Sequence, residues 1–279
     1  MENKIIGIVG AGKMGHGIAL TAAIAGYQVA LQNRTPATLV KAQSIIESQL
    51  TKLVQKNTLT AEESAAVLER IQFTSTFEKF DVVDFVIETI AESLNIKNEL
   101  FAKLDELCKP EAVFVSNTST FSITAIAAAT KRPEQVAGMH FFLPPAKLVE
   151  LTRGYYTSDQ TVALAKAIAE KMGKIFIEVK KDSPGFIANR IYTPLFLEAF
   201  KAYEEGLASK EDIDLAMKST YLPIGPFELA DIIGLDVLIS GLEYYHSELG
   251  AKWNPPLSLK QLVAAGRLGK KVGKGWYDY

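Results

Sequence analysis

The stretch Lys4-Ile5-Ile6-Gly7-Ile8-Val9-Gly10-Ala11-Gly12-Lys13-Met14-Gly15-His16 decides the fold. An apolar run from Lys4 to Val9 stops at glycines, and small residues from Met14 to Ala25 follow at helical spacing. The pattern predicts strand, tight turn and helix. In Gly10-x-Gly12-x-x-Gly15 the first glycine permits the turn and the second lets backbone approach a pyrophosphate. The third lets the helix pack closely on the strand. Such a pattern also serves as a purely structural turn, but its setting between a buried strand and a helix favours dinucleotide binding. Lys13 and Met14, inside the same turn, join the glycines as candidate cofactor contacts.

Working outward, Gln28 to Gln32 reads as a second strand and Pro36 opens a long polar helix to about Lys56. Asp81 to Glu88 reads as a third, strongly apolar strand, followed by a helix from about Asn95 to Leu107. Further strands are predicted at Ala112 to Ser116, Val136 to Met139 and Ile175 to Val179. Alternating strands and helices predict an α/β, Rossmann-like, doubly wound and mainly parallel sheet, occupying residues 1–181 as a dinucleotide-binding domain. Beyond Lys180-Lys181-Asp182-Ser183-Pro184-Gly185 the periodicity is helical throughout. Helices are expected at 186–204, 210–218, 226–232, 234–248 and 257–264, making residues 182–279 a smaller all-helical domain. The glycine-rich basic tail from Gly266, ending Trp276-Tyr277-Asp278-Tyr279, is expected to fold back over the body.

At 279 residues, 48% hydrophobic and 22% charged, the chain can bury a sizeable core. A net charge of −2 provides no global field for nucleic acid or an anionic membrane, so neither is expected as a partner. One cysteine, Cys108, excludes an intramolecular disulfide and leaves no cluster for zinc, so no metal is expected. There is neither a signal-peptide pattern nor an 18-residue apolar span, and the expected location is cytoplasmic.

The end of the second strand should meet the adenosine ribose, and there Gln32 is followed by Asn33-Arg34-Thr35. An Asp would accept from both ribose hydroxyls and repel a 2′-phosphate. Asn33, with the cation of Arg34 and the hydroxyl of Thr35, would welcome one, so the sequence leans toward NADP over NAD. The plainer reading of Arg34 is a solvated loop cation. His16 is either a further phosphate contact or simply exposed.

The chain has three histidines, His16, His140 and His246, so a general base of near-neutral pKa has few candidates. His140 ends an apolar strand in Gly138-Met139-His140-Phe141-Phe142, where sheets of this class place ligands. Ten residues on, after Pro144-Pro145, Lys147-Leu148-Val149-Glu150 puts a carboxylate where the chain could double back beside His140. Glu150 would then fix the tautomer and stabilise the imidazolium formed when His140 takes a hydroxyl proton. A satisfied core histidine is the alternative. Ser116-Asn117-Thr118-Ser119-Thr120 clusters hydroxyls and an amide at another strand end, either for ligand contacts or for capping and turn chemistry. Asn189, in the first turns of the second domain's first helix, would bind ligand or bridge domains.

Taken in order, these motifs resemble the 3-hydroxyacyl-coenzyme A dehydrogenase family, in particular its short bacterial 3-hydroxybutyryl-coenzyme A type, over essentially the whole chain. The series is the Gly10 turn with Met14-Gly15, then Glu88 with Glu92 and Lys97, Ser116-Asn117-Thr118-Ser119, His140-Phe141-Phe142 and Lys147-Leu148-Val149-Glu150. It continues through Pro184-Gly185-Phe186, Asn189-Arg190, Gly225-Pro226-Phe227-Glu228 and Gly273-Lys274-Gly275-Trp276-Tyr277.

The resemblance implies hydride transfer between a short (S)-3-hydroxyacyl-CoA and NAD(P), with His140 as base and Glu150 as its partner. Ser119 and Asn189 would hold the substrate oxygen and thioester region. Glu92 and Lys97 would contact the nicotinamide-side ribose, with Asn117 also on the cofactor side, and the helical domain would carry substrate contacts and a homodimer interface. Lys41, Lys52 and Lys56 share a helix face and are candidates for coenzyme A phosphates, Lys41 foremost; a solvated face is the commoner explanation for such lysines. Two departures stand out: the family usually has Asp at position 33, and Asn where Leu143 stands, in a connection to Glu150 that is here about two residues shorter. Competing readings are a dehydrogenase of a free hydroxy acid, of gulonate or carnitine type, and a non-catalytic dinucleotide-binding protein.

Overall fold

The computed structural model describes residues 4–142 and 146–279. It divides into two compact units, Met1–Ser183 and Pro184–Tyr279. The first unit holds a sheet of eight strands in spatial order β3-β2-β1-β4-β5-β6-β7-β8. β1 (Ile5–Val9) leads through the glycine turn into α1 (Lys13–Ile24), then β2 (Gln28–Gln32), α2 (Pro36–Gln55), α3 (Ala61–Glu69) and β3 (Ile71–Thr74). The chain returns to the centre with β4 (Phe85–Glu88), α4 (Leu94–Leu107), β5 (Val113–Ser116), α5 (Ile123–Ala127) and β6 (Val136–Phe141). It closes with β7 (Leu148–Arg153), α6 (Asp159–Lys171) and β8 (Ile175–Val179). Every pairing is parallel except β6 with β7. The strand order reverses between β1 and β4, where doubly wound sheets open a ligand crevice at their carboxyl ends.

The expected fold class therefore holds, with local corrections. Residues 61–74 supply a helix and an edge strand that hydrophobic periodicity did not mark. The helix starts with a capping box, Thr60 Oγ accepting from Glu63 N–H and the Glu63 carboxylate from Thr60 N–H. The strand expected at 81–88 begins only at Phe85, and is fourth in the chain. Its first residues form a single helical turn at Phe80–Val82, which drops the Phe80 ring onto Gly7; a Cβ on Gly7 would lie 2.8 Å from that ring. Residues 148–153 form a full strand, and α6 covers it.

The main core unites α1, α2, α6 and the sheet, with Ile6, Ile8, Leu31, Ile87, Val115 and Leu151 all fully buried. In the second unit α7 (Ala188–Glu204), α8 (Lys210–Thr220), α9 (Pro226–Ile233), α10 (Leu235–Leu249) and α11 (Leu257–Ala264) enclose their own core. α7 starts two residues later than expected because Gly185 and Phe186 adopt positive φ, 77° and 49°, which a helix cannot continue. The tail folds back onto this unit: Asp231 accepts from the Trp276 and Tyr277 N–H groups at 2.8 and 2.9 Å, and the Trp276 ring stacks on Phe200. Among the described residues no helix is long and apolar enough to cross a membrane.

Candidate active site

Three strand ends, β1, β4 and β5, and the antiparallel pair β6–β7 carry the polar groups of the first unit. At β1, Gly10 has φ of 104°, and a Cβ on Gly15 would sit 1.7 Å from the Gly10 carbonyl oxygen, so neither position accepts a side chain without rearrangement. A Cβ on Gly12 would meet nothing within 4 Å. Gly12 is also the N-cap of α1 and no side chain caps its N–H groups, so uncapped donors face open space. That cradle fits a pyrophosphate. Thr89, just beyond β4, fixes it from below: its hydroxyl donates to the Gly10 carbonyl at 2.8 Å. Lys13 is exposed on the first turn, Met14 packs on the core, and His16 is 9% exposed rather than projecting into solvent.

At the end of β2, Asn33 Oδ1 accepts from the Ala11 N–H at 3.2 Å, while its Nδ2 donates to the Thr35 carbonyl at 3.2 Å. The amide thus ties the second strand to the glycine turn. Arg34 is exposed and lines an open cavity of about 560 Å³ with Ser75, Thr76 and Lys103, and with the carboxylates of Glu78 and Asp81. Lys41 is exposed on α2.

β6 and β7 pair in a register that sets His140 opposite Glu150. Directly opposed residues of an antiparallel pair project from the same face, so the side chains meet. His140 Nδ1 lies 2.9 Å from Glu150 Oε2, with Glu150 fully buried and His140 7% exposed. The Phe142 ring lies 4.4 Å from the imidazole, limiting water on that side. A carboxylate accepts only, so the proton of this bond resides on Nδ1 and Nε2 is the acceptor nitrogen. The departures at Leu143 and in the Pro144-Pro145 connection lie outside the described residues.

Asn117, beyond β5, accepts from the Phe141 N–H through Oδ1 at 2.8 Å, anchoring the strand that carries His140. Ser119 follows in the same turn, its hydroxyl 3.2 Å from that of Thr120. Glu92 accepts from Thr118 Oγ1 and from the Ser119 N–H, at 2.5 and 3.1 Å. Lys97, expected beside Glu92 on the nicotinamide-side ribose, is buried beneath the strand ends. Its side chain is 1% exposed, and its ammonium faces Glu88 Oε1 and Oε2 at 2.7 and 2.9 Å and Glu92 Oε2 at 3.2 Å. An ammonium has three donors. Its two hydrogen bonds go to Glu88, and the third contact is an ion pair with Glu92, which itself reaches the surface. The sequence grouped Ser116 and Thr118 in a hydroxyl cluster and Glu88 with Glu92 and Lys97, but did not foretell that these residues form one hydrogen-bonded network. Asn189 is the second residue of α7, in the second unit. Among the described residues no group of His, Cys, Asp and Glu could hold a metal ion.

Comparison with known proteins agrees with this arrangement. Residues 5–183 match the model of the 3-hydroxyacyl-CoA dehydrogenase NAD-binding domain, and residues 185–279 that of its C-terminal domain. A probable 3-hydroxybutyryl-CoA dehydrogenase of Bacillus subtilis is 45% identical over 100% of this chain and 98% of its own. The 3-hydroxybutyryl-CoA dehydrogenase of Clostridioides difficile is 40% identical over 98% and 99%. The crystal structure of (S)-3-hydroxybutyryl-CoA dehydrogenase from Ralstonia eutropha superposes with a TM-score of 0.94 at 40% identity, covering 100% of this chain and 99% of that one. The chain belongs to the 3-hydroxyacyl-CoA dehydrogenase family, and it is an NAD(P)-dependent dehydrogenase.

Proposed function

We propose that the protein interconverts (S)-3-hydroxybutyryl-CoA and acetoacetyl-CoA, or close short-chain homologues, with NADP favoured over NAD. The observation that carries the reading is the buried His140–Glu150 pair at 2.9 Å, at the carboxyl end of a strand in a dinucleotide-binding sheet. In the oxidative direction His140 Nε2 takes the proton of the C3 hydroxyl. Glu150 holds the Nδ1 proton and stabilises the imidazolium by a charge-assisted hydrogen bond. A bound nicotinamide supplies the hydride acceptor. In the reductive direction the same imidazolium returns its proton to the forming alkoxide.

Ser119 and Asn189 are assigned to the substrate oxygen and thioester region, and Lys41 to a coenzyme A phosphate. Gly10, Gly12, Lys13, Met14 and Gly15 would hold the pyrophosphate, with Glu92, Lys97 and Asn117 on the nicotinamide side. Asn33 and Arg34 would face the adenosine ribose and its 2′-phosphate; the missing carboxylate at position 33 and the exposed Arg34 guanidinium support this. Residues 1–181 would then be the dinucleotide-binding domain and 182–279 the helical substrate and dimerisation domain of a homodimer. A cytoplasmic setting, with neither nucleic acid nor membrane as partner, accords with the near-neutral charge and single cysteine.

Initial rates with acetoacetyl-CoA, NADPH and NADH in parallel, and free acetoacetate as control, test the reading. Faster turnover with NADPH is expected, and none with the free acid. His140→Gln should lower kcat by about 10²–10⁴-fold while leaving dinucleotide affinity nearly unchanged. Normal turnover in that variant would exclude His140 as the base.

A further inference from the structure

Beneath the candidate site lies a buried polar network that the dyad chemistry does not use. Glu88 ends β4 and Ser116 ends β5, and the two pair in register. The Glu88 carboxylate is fully buried and accepts from the Ile90 N–H at 2.7 Å, from Lys97 Nζ at both oxygens, and from Ser116 Oγ at 2.5 Å. From Ser116 the network turns back up: its hydroxyl oxygen accepts from the Thr118 N–H at 3.1 Å. From Lys97 it runs 3.2 Å to Glu92, and Glu92 in turn accepts from Thr118 Oγ1 and the Ser119 N–H. Thr118 Oγ1 accepts from the Thr120 and Phe121 N–H groups at 3.2 and 3.0 Å.

Both routes from Glu88 converge on the turn that carries Ser119. Glu92, the one member near the surface, is thereby held from inside by Lys97 and from the side by the turn. Burying the Glu88 carboxylate with the Lys97 ammonium is costly, and a hydrophobic replacement often serves stability as well. What such a satisfied network supplies is a single geometry.

We propose that Glu88 is a positioning residue, which acts through Ser116 and, by way of Lys97, through Glu92 to hold the Ser119 hydroxyl in place for the reacting substrate oxygen. The proposal rests on the reading above in which Ser119 touches that oxygen. A hydroxyl displaced by about 1 Å loses as much as 10²-fold in rate, so the network acts on kcat and leaves the binding of the remote parts of the substrate alone.

The test is a double-mutant cycle on acetoacetyl-CoA reduction with Glu88→Gln, Ser119→Ala and the two combined. Ser116→Ala replaces Glu88→Gln in a second cycle, because it keeps the buried ion pair and folds even where the charge change does not. Each single network variant is expected to lower kcat about tenfold with KM within about twofold, and Ser116→Ala, which keeps the contacts of Lys97 with Glu88 and Glu92, to leave dinucleotide Kd unchanged. Combined with Ser119→Ala, either should add nothing, since both act through one hydroxyl. Independent, multiplying losses in the double variants, with Ser119→Ala itself impaired, would overturn the positioning role and leave the substrate reading standing. Wild-type kcat in Ser119→Ala would remove both.

Discussion

Asn33 differs by one atom from the aspartate usual at its position, and the proposed cofactor choice turns on that atom without altering the backbone. Its Oδ1 ties the glycine turn through the Ala11 N–H, a bond that a carboxylate makes as well. Its Nδ2 donates to the Thr35 carbonyl, a bond that a carboxylate loses. Asn33→Asp should therefore preserve the turn while placing a negative charge beside the exposed Arg34 guanidinium. That charge would partly neutralise Arg34 and repel a 2′-phosphate. The expected outcome is a fall of about 10–100-fold in kcat/KM for NADPH, roughly 1.4–2.7 kcal/mol, with NADH little changed. Steady-state rates with both cofactors measure it, and an unaltered ratio would remove position 33 from cofactor selection. The missing carboxylate at position 33 was readable from the residue type alone. The burial of Lys97 was not, because nothing in a helix of mixed polarity marks one lysine as turned onto the strand-end acids beneath it.

At the scale of elements, the dyad was legible because a histidine and a carboxylate ten residues apart flank a proline-bearing connection, and an antiparallel return brings such positions opposite each other. The edge strand β3 and the short α5 were not legible, since four or five residues carry too little periodicity to mark an element. The fold-back of the tail was expected from its glycines and aromatics, but its anchor was not. Asp231 is fully buried in α9 and accepts from two tail N–H groups and from the Tyr279 hydroxyl at 3.1 Å. Gly275 permits the approach, since a Cβ there would lie 2.0 Å from Asp231 Oδ1. Asp231→Ala leaves these donors without an acceptor and should cost about 2–4 kcal/mol. For a unit of this size that lowers the melting temperature by at least about 8 °C. Both tryptophans, Trp253 and Trp276, belong to this unit, so intrinsic fluorescence reads its unfolding directly. An unchanged fluorescence melt would show that the aromatic packing of Trp276 on Phe200 and Phe227 holds the tail unaided.

For the whole molecule, the chemistry of a single thiol gives the first unit a reporter of its own. Cys108 caps α4, is 6% exposed, and burial pushes its pKa up to about 11, an effect that the nearby Arg132 guanidinium opposes only in part. The thiolate is the reactive form, so the native protein should resist alkylation at pH 8, and labelling should follow opening of this unit. The folded pKa lies above the ordinary value of 9.0, so the stabilisation linked to the neutral thiol is complete below that pH and is lost as pH rises through about 11. Over that window Cys108→Ala should flatten the pH dependence of stability by up to about 1.4 kcal/mol per pH unit. A dinucleotide seated on the glycine turn binds the folded first unit only, and at about 100 times its Kd it should stabilise that unit by about 2.7 kcal/mol. Where labelling reports global opening of the unit, its rate should fall about 100-fold by the same linkage. At equal concentrations NADPH should protect Cys108 more than NADH, because the proposed discrimination by Asn33 and Arg34 at the 2′-position would act whether or not an acyl thioester is present. Equal protection by the two cofactors, set beside a kinetic preference for NADPH, would move that preference from ground-state binding to the hydride-transfer step.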